Sequence, residues 1–243
     1  MWHPDEKQVF EARSLDLRVT DGRWPFAEHH SEAIEAHWQQ RLSETPSFFN
    51  GVVHLLTAYS LSPDGLLSAR FVRSDFKSFL YWREAGWPDR SVMDAFGSAL
   101  IFSAEGHVLL GRQRAGNLNS GLFYPPGGFI DASDVGPNGL IGLEASVGRE
   151  ILEETGLAAP TIERHDGYLV ALAGPVLSIG VRYRSSLNAP ELVETARAYI
   201  AADAESELAD FAMTQRDGSG RDLAMPDYAR ALLDYLSHAK TCI

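Results

Sequence analysis

The sequence contains almost no cysteine and has no long apolar run. Cys242 is the only cysteine in 243 residues, so no disulfide can form within the chain and no cysteine-based zinc site is expected. The chain nowhere has the 18 or so consecutive apolar residues that a membrane span needs, and residues 1–7 begin no secretory signal. These absences predict a protein of the reducing cytoplasm.

Basic residues are also few. The chain has 21 Lys and Arg against 33 Asp and Glu, a formal net charge of −12. Such a surface repels nucleic-acid backbones and anionic lipid. We therefore expect neither nucleic acid nor a membrane as a partner. A small anionic substrate is compatible with this charge where local arginines or a bound cation meet it.

The remaining composition is that of a globular protein, with 45% hydrophobic and 22% charged residues. Strand and helix patterns mix without a regular β–α–β alternation, which predicts the α+β class. The sequence texture changes near residue 90. We therefore predict an N-terminal unit of strands and helices over 1–90 and a second domain over 91–243.

Turn residues and apolar periodicity predict the individual elements. The predicted hairpins join strands 51–59 and 66–73, 98–102 and 107–110, and 168–172 and 176–184. The other predicted strands cover 16–20, 122–124 and 208–214. The predicted helices cover 27–44, a short stretch within 75–90, 140–155, 190–203 and 227–239. Gly156 is the predicted end of the helix over 140–155.

This helix carries a cluster of carboxylates. Glu150, Glu153 and Glu154 lie at positions i, i+3 and i+4, so they share an arc of roughly 100° on one face. Like charges at this spacing repel by about 0.2–0.5 kcal/mol a pair, and the end of the helix dipole also disfavours them. Oxygen-rich clustering suits a hard divalent cation such as Mg²⁺. A solvated acidic face is the alternative interpretation.

Glycines near this cluster add to the prediction. Gly127 and Gly128 end a predicted strand, and such a turn offers backbone groups to a ligand or metal. Gly148 lies inside the helix, where it costs about 1 kcal/mol relative to alanine. We therefore expect close packing or the close approach of a ligand at Gly148.

Residues 149–157, Arg-Glu-Ile-Leu-Glu-Glu-Thr-Gly-Leu, resemble the second half of the Nudix box, and Gly-Gly precedes them. That motif is Gly, five residues, Glu, seven residues, then Arg-Glu-U-x-Glu-Glu-x-Gly-U, where U is bulky and aliphatic. The resemblance covers about 95–215. It implies a Nudix-type α/β/α sandwich with a mixed sheet, preceded here by a smaller N-terminal unit. It also implies hydrolysis of the diphosphate bond in a nucleoside diphosphate linked to another group, with Mg²⁺ as cofactor and Mn²⁺ as a substitute.

The first half of the motif departs from the family pattern. Gly128 precedes Arg149 by 21 residues instead of the 14 of the motif, an insertion of seven. Counting forward from Gly128 gives Asp134 at the position of the first box glutamate, and counting back from Arg149 gives Ile141. That glutamate is therefore either replaced by Asp134 or absent, which bears on rate and metal affinity more than on the fold.

The resemblance assigns roles to the matching residues. Glu150, Glu153 and Glu154 would coordinate the cation or activate the attacking water. Arg149 would orient these carboxylates by a bidentate pair. Gly128, or its neighbour in the Gly-Gly pair, would offer a backbone carbonyl to the metal.

Other candidates lie outside the motif. Many family members have one more acidic residue late in the domain, and Glu207 is the candidate here, with Glu205 second; a surface position is an equal alternative. Arg112 and Arg114 alternate to one face after a strand, where they would bind the diphosphate or stay solvated. Tyr124 would stack on a base, although core packing is the favoured interpretation.

The large N-terminal unit and the expanded box are similar to a subgroup that cleaves UDP-glucose and UDP-galactose to UMP and sugar 1-phosphate. Residues 47–51, Ser-Phe-Phe-Asn-Gly, carry part of this similarity. ADP-ribose, NADH and coenzyme A derivatives are the alternative substrates. A non-hydrolytic, nucleotide-sensing domain is the alternative function. The N-terminal unit would line the substrate pocket or form a homodimer interface.

Overall fold

The computed structural model describes residues 2–214 and 222–238. Its strands are β1 (Lys7–Ala12), β2 (Ser14–Val19), β3 (Val52–Leu61), β4 (Leu66–Asp75), β5 (Asp94–Phe102), β6 (Val108–Gln113), β7 (Phe123–Tyr124), β8 (Ile162–Ala173), β9 (Val176–Ser185) and β10 (Leu208–Thr214). Its α-helices are α1 (Pro25–His29), α2 (Ser31–Glu44), α3 (Phe76–Glu84), α4 (Leu143–Thr155), α5 (Ala189–Ala201) and α6 (Asp227–His238). Among the described residues, no helix has the length and apolarity needed to cross a membrane.

The larger sheet is mixed. Its strand order is β1-β8-β9-β5-β6-β10, and β7 pairs with β6. β5 and β9 are parallel over their whole length, whereas β1, β6 and β10 join their neighbours in antiparallel pairs. The predicted hairpins of this sheet, β5–β6 and β8–β9, are confirmed.

Helices cover both faces of this sheet. Because side chains alternate along a strand, neighbouring residues of β5 enter different cores. Ile101 packs in the cluster that contains Ile151 of α4 and Leu192 of α5. Leu100 packs in the cluster that contains Leu232 of α6. The predicted α+β class and the α/β/α layering around a mixed sheet are confirmed.

A second, three-stranded sheet has the order β2-β4-β3. β2 is parallel to β4, and β3 and β4 form the predicted hairpin. The aromatic side chains of Trp24, Phe79 and Trp82 are buried between this sheet and the N-terminal helices. This sheet with α1–α3 is the predicted smaller unit. β1 also precedes residue 90 but lies in the larger sheet, and the boundary at 90 stays a prediction.

Some predicted boundaries were wrong. The helix predicted over 27–44 is interrupted at His30 and forms α1 and α2. The helix predicted from 140 begins at Leu143, because Ile141 donates its main-chain N–H to Leu17 of β2. The strand β1 was not predicted. Its exposed polar side chains conceal the alternation that marks a half-buried strand.

Candidate functional site

Helix α4 positions the carboxylates. Val147 and Ile151 are buried, and they anchor one face of α4 in the core. The helix lies close to β5 because Gly97 has no side chain; a Cβ there would be 2.5 Å from Cγ2 of Val147. Gly156 ends α4 in the left-handed conformation (φ 67°), as predicted. The packing of this face fixes the position of the other face of α4, which carries the carboxylates, beside the end of β7.

The acidic residues of α4 have different surroundings. Glu154 is only 9% exposed, and its Oε2 accepts the Gly127 N–H at 3.0 Å. Glu150 is half-buried and lies against Gly128, where a Cβ would be 2.8 Å from the carboxyl carbon. Glu153 is exposed. The glycine pair thus brings the loop after β7 directly against two of the three carboxylates.

Burial and mutual repulsion disfavour the charged forms of these two side chains. Burial raises the pKa of Glu150 to about 7, with Arg149 opposing the rise and the carboxylates of Glu153 and Glu207 adding to it. Burial also raises the pKa of Glu154 well above its ordinary value, and Glu150 and Glu207 add to this rise. A bound cation would replace protons at this site and relieve the repulsion.

Arg149 joins α4 to the inserted loop. Its Nη2 lies 3.3 Å from Oδ1 of Asp134 and 3.5 Å from Oε1 of Glu150. The carboxylate of Asp134 is almost fully buried, and its other oxygen accepts the Asp131 N–H at 3.0 Å. Ile141 is buried in the core. Spacing offers Asp134 and Ile141 for the first position of the motif. Of these two, only Asp134 forms an ion pair with Arg149 of α4.

A cavity of about 340 Å³ lies beside the loop at Gly127–Gly128, between the larger sheet and the N-terminal unit. Its walls include four of the predicted site residues: Tyr124, Gly127, Gly128 and Glu207. Tyr124 is buried there, as the packing interpretation predicted. The walls also include Phe49, from the segment 47–51, and two residues that the sequence analysis did not select, Arg83 and Asp94.

The structure does not bring the two predicted phosphate-binding arginines to this cavity. Arg112 lies 3.9 Å from Asp210 and over the ring of Phe123, and Arg114 donates to the carbonyl of Ala204 at 2.6 Å. Both side chains point towards β10 or the turn that precedes it. Their assignment to the diphosphate stays a prediction, and this geometry does not support it.

The expected close packing at Gly148 was wrong. A Cβ at this position would meet no atom within 4 Å apart from its own helix and chain neighbours. The glycine therefore leaves open space on the surface of α4. The alternative reason for this glycine, the close approach of a ligand, stays a prediction.

The donor chemistry of the site suits a hard cation. The donors that the structure brings together here are oxygens, from Glu150, Glu154 and the main chain at Gly127–Gly128. Within residues 2–214 and 222–238, no three acidic or imidazole side chains converge into a closed metal cage. Mg²⁺ commonly binds one or two carboxylates together with waters and substrate phosphates. An open, oxygen-only site therefore fits Mg²⁺ better than a metal that requires a complete protein cage.

The missed residues carry weak sequence signals. Asp94 is the only charged residue of the segment 92–102, Val-Met-Asp-Ala-Phe-Gly-Ser-Ala-Leu-Ile-Phe, and a lone acid in a buried strand is a signal for function. Arg83 lies in the last turn of α3, and nothing in the sequence indicates that this turn faces the cavity.

No protein-family model matches the sequence, and no curated protein matches it. Solved structures are similar over part of the chain. The MutT protein of Methanosarcina mazei Go1 is 20% identical with a TM-score of 0.39, over 59% of this chain and 92% of that one. A Nudix hydrolase of M. smegmatis, RenU, is 16% identical with a TM-score of 0.37, over 58% and 81%. The Nudix domain of Shewanella oneidensis NrtR, solved with ADP ribose, is 18% identical with a TM-score of 0.36, over 64% and 94%.

Proposed function

We propose that the chain hydrolyses the diphosphate bond of a nucleoside diphosphate linked to another group, with Mg²⁺ as the cofactor and Mn²⁺ as a substitute. The observation that carries this proposal is the pair Glu150 and Glu154. Glu154 is buried and Glu150 is half-buried against a glycine loop that lines a cavity, and the pKa of each is raised. A pair of buried acids held together at this cost is typical of a site that receives a cation.

The residues have distinct roles in this proposal. Glu150 and Glu154 would hold the cation, together with the Gly128 carbonyl, and Glu153 and Glu207 would add negative charge at its rim. A bound cation neutralises the diphosphate oxygens and lowers the pKa of a bound water. Arg149 is a positioning residue, since it contacts Glu150 and Asp134 at once.

A carboxylate must also accept the proton of the attacking water. Oε1 of Glu154 would accept this proton, while Oε2, which already accepts the Gly127 N–H, keeps a second lone pair for the cation. The water oxygen then forms a bond to one phosphorus while the bond from that phosphorus to the bridging oxygen breaks. The second phosphate leaves with the bridging oxygen. No covalent intermediate with the protein is needed.

Within this class we propose UDP-glucose and UDP-galactose as substrates, with UMP and sugar 1-phosphate as products. Residues 47–51 resemble the corresponding subgroup, and the support from the fold is that Ser47, Phe48 and Phe49 line the cavity beside the carboxylates. ADP-ribose, NADH and coenzyme A derivatives are the alternatives, because the carboxylates act on the diphosphate that all of them share.

The test is Mg²⁺-dependent product release from a panel of UDP-glucose, UDP-galactose, ADP-ribose, NADH and a coenzyme A ester. Glu154→Gln is the inactivating variant, and the exposed Glu194→Gln on α5 is the matched control. We expect turnover of UDP-sugars that Glu154→Gln abolishes and Glu194→Gln preserves. Turnover of another substrate would replace the UDP-sugars but keep the reaction. Binding of these compounds without turnover would overturn hydrolysis and indicate a sensor.

A further inference from the structure

Asp94 is a buried carboxylate at the wall of the cavity, and its side chain accepts no hydrogen bond from the part of the chain that the structure describes. The residue is 6% exposed and lines the cavity wall. Its main-chain N–H donates to the Pro175 carbonyl at 2.8 Å, but no donor within residues 2–214 and 222–238 hydrogen-bonds to its side chain. Burying a carboxylate without a hydrogen-bond donor is costly. A cost of this kind at a cavity wall indicates a donor that arrives with a ligand.

The charged surroundings of Asp94 do not supply that donor. The positive charge of Arg83 stabilises the ionised form of the Asp94 carboxylate from a distance. The Arg83 guanidinium itself donates to Oδ1 of Asn119 at 2.7 Å and to the Leu118 carbonyl at 3.3 Å. Its Nη atoms lie beyond the 4 Å of an ion pair with Asp94. Tyr228 is buried nearby, and the carboxylate of Asp94 raises its pKa further, so its hydroxyl stays protonated. The free acceptors therefore face the cavity.

The same cavity is also lined by an aromatic ring that, unlike Asp94, is largely exposed to solvent. Phe49 is 82% exposed, which is unusual for a phenylalanine, and it also lines the cavity. Its neighbour Phe48 stacks against Trp38 and is not free in the same way. An exposed ring beside a cavity offers a face on which a flat base or the C–H face of a sugar can pack.

We propose that Asp94 is the specificity-determining residue of this site, accepting hydrogen bonds from two adjacent donors on a ring of the substrate while Phe49 packs on that ring. This inference rests on the proposed hydrolysis, since it places the ring beside the diphosphate that Glu150 and Glu154 serve. Vicinal sugar hydroxyls present two adjacent O–H donors. The guanine edge presents two adjacent N–H donors. Uracil and adenine edges each place an acceptor beside their donor, so an ionised Asp94 does not select them.

The first experiment compares the wild type with Asp94→Asn, which keeps the size of the side chain but replaces an acceptor oxygen by a donor. With UDP-glucose, we expect KM to rise at least about tenfold while kcat changes by less than about twofold, because a hydrogen bond to a charged group is lost in binding. The affinity for Mg²⁺, measured by calorimetry without nucleotide, should stay unchanged. Asp94→Glu should restore part of the selectivity.

Two further arms separate the sources of the donors. If vicinal hydroxyls of the glucose are bound, UDP-3-deoxyglucose, in which no two hydroxyls of the glucose are adjacent, loses the dependence on Asp94. If a base edge is bound, GDP-glucose depends on Asp94 but IDP-glucose, which lacks the second N–H donor, does not. Equal losses with every substrate, or an unchanged KM throughout, would overturn the inference.

A second variant guards against misfolding of Asp94→Asn. Phe49→Ala changes an exposed side chain, and we expect it to weaken binding of the same substrate whereas Phe49→Trp preserves it. Binding of UDP-glucose and GDP-glucose to Glu154→Gln, with and without Asp94→Asn, needs no turnover. If Asp94→Asn selectively weakens binding to the Glu154→Gln protein, the role of Asp94 is upheld even if the wild type hydrolyses neither compound. Absence of hydrolysis alone would overturn only the proposed function.

Discussion

The main-chain N–H of Gly127 donates a hydrogen bond of 3.0 Å to Oε2 of Glu154. This bond ties the loop after β7 to the helix that carries the carboxylates. A Cβ on Gly127 would collide with the main-chain oxygen of Gly97, and a Cβ on Gly128 would collide with the carboxylate of Glu150. The two glycines therefore allow the loop to lie in contact with Glu150 and Glu154.

Replacing Gly128 by alanine should separate activity from stability. The new methyl group displaces the Glu150 carboxylate, so we expect kcat to fall about tenfold or more, since such a displacement moves a catalytic group by about 1 Å. The melting temperature should change little because a side chain, and not backbone, gives way. Steady-state kinetics and thermal unfolding measure the two effects. Unchanged kcat would show that Glu150 does not need its present position.

The three clustered acids of α4, Glu150, Glu153 and Glu154, should not contribute equally. Glu154→Gln and Glu150→Gln remove the two carboxylates that lie against the glycine loop, one buried and one half-buried, and we expect each to lower kcat by about 10²–10⁴. Glu153→Gln changes an exposed side chain and should cost about tenfold or less. Initial rates at saturating Mg²⁺ test this order. A Glu153→Gln protein as inactive as Glu154→Gln would contradict the distinction drawn from burial.

Asp134 should hold the inserted loop onto α4. Asp134→Ala removes a buried acceptor of the Arg149 guanidinium, for which we expect a loss of about 1–3 kcal/mol in unfolding free energy. The loop over 131–141 should also become more sensitive to limited proteolysis. Ser133→Ala, which removes a single exposed contact of Arg149, is the control. Equal protease sensitivity of both variants would rule out Asp134 as the anchor.

Asp94 should make stability depend on pH. Burial raises its pKa from 3.8 to about 7, so the folded protein keeps a proton that the unfolded chain releases in between. The stability linked to this proton is complete below about pH 4 and is lost as the pH rises through 7. Asp94→Asn should match the wild type near pH 4 and exceed it at pH 8, by up to about 4 kcal/mol at about 1.4 kcal/mol for each unit of pKa. Urea unfolding at both pH values measures the difference, and a difference independent of pH would count against the raised pKa.

Gly148, on the open surface of α4, and Gly97, in the α4–β5 interface, should respond in opposite ways to alanine. Gly148→Ala places a methyl group in open space and should stabilise the protein by about 1 kcal/mol, because alanine favours the helix. Gly97→Ala forces a methyl group against Val147 and should destabilise it by about 1–3 kcal/mol. Thermal unfolding of both variants tests this. If Gly148→Ala is stable but binds substrate poorly, the open space is used by the ligand.

The features predicted correctly from the sequence are those that depend on neighbouring residues. The 3.6-residue periodicity of 143–155 and its glycine end are local, so the helix and the shared arc of its acids followed from spacing. The difference between Glu153 and Glu154 did not follow, because burial of Glu154 depends on the loop at Gly127, 27 residues earlier.

Most of what the sequence does not predict involves distant partners. The contacts of Arg112 and Arg114 do not follow from their spacing, because their neighbour β10 begins almost 100 residues later and decides what they contact. β1 was missed because its partner β8 lies more than 150 residues away. Asp94 escaped notice because its cavity forms only when the N-terminal unit packs beside the larger sheet.

Only Arg13 separates β1, in the larger sheet, from β2, in the smaller one. A chain that starts at residue 91 would leave the main-chain groups of Tyr168–Ala173 without the strand that covers them. Bare edges of this kind promote association between copies. The two sheets should therefore melt together in a single cooperative transition, and the shorter chain should aggregate instead of surviving as an independent folding unit.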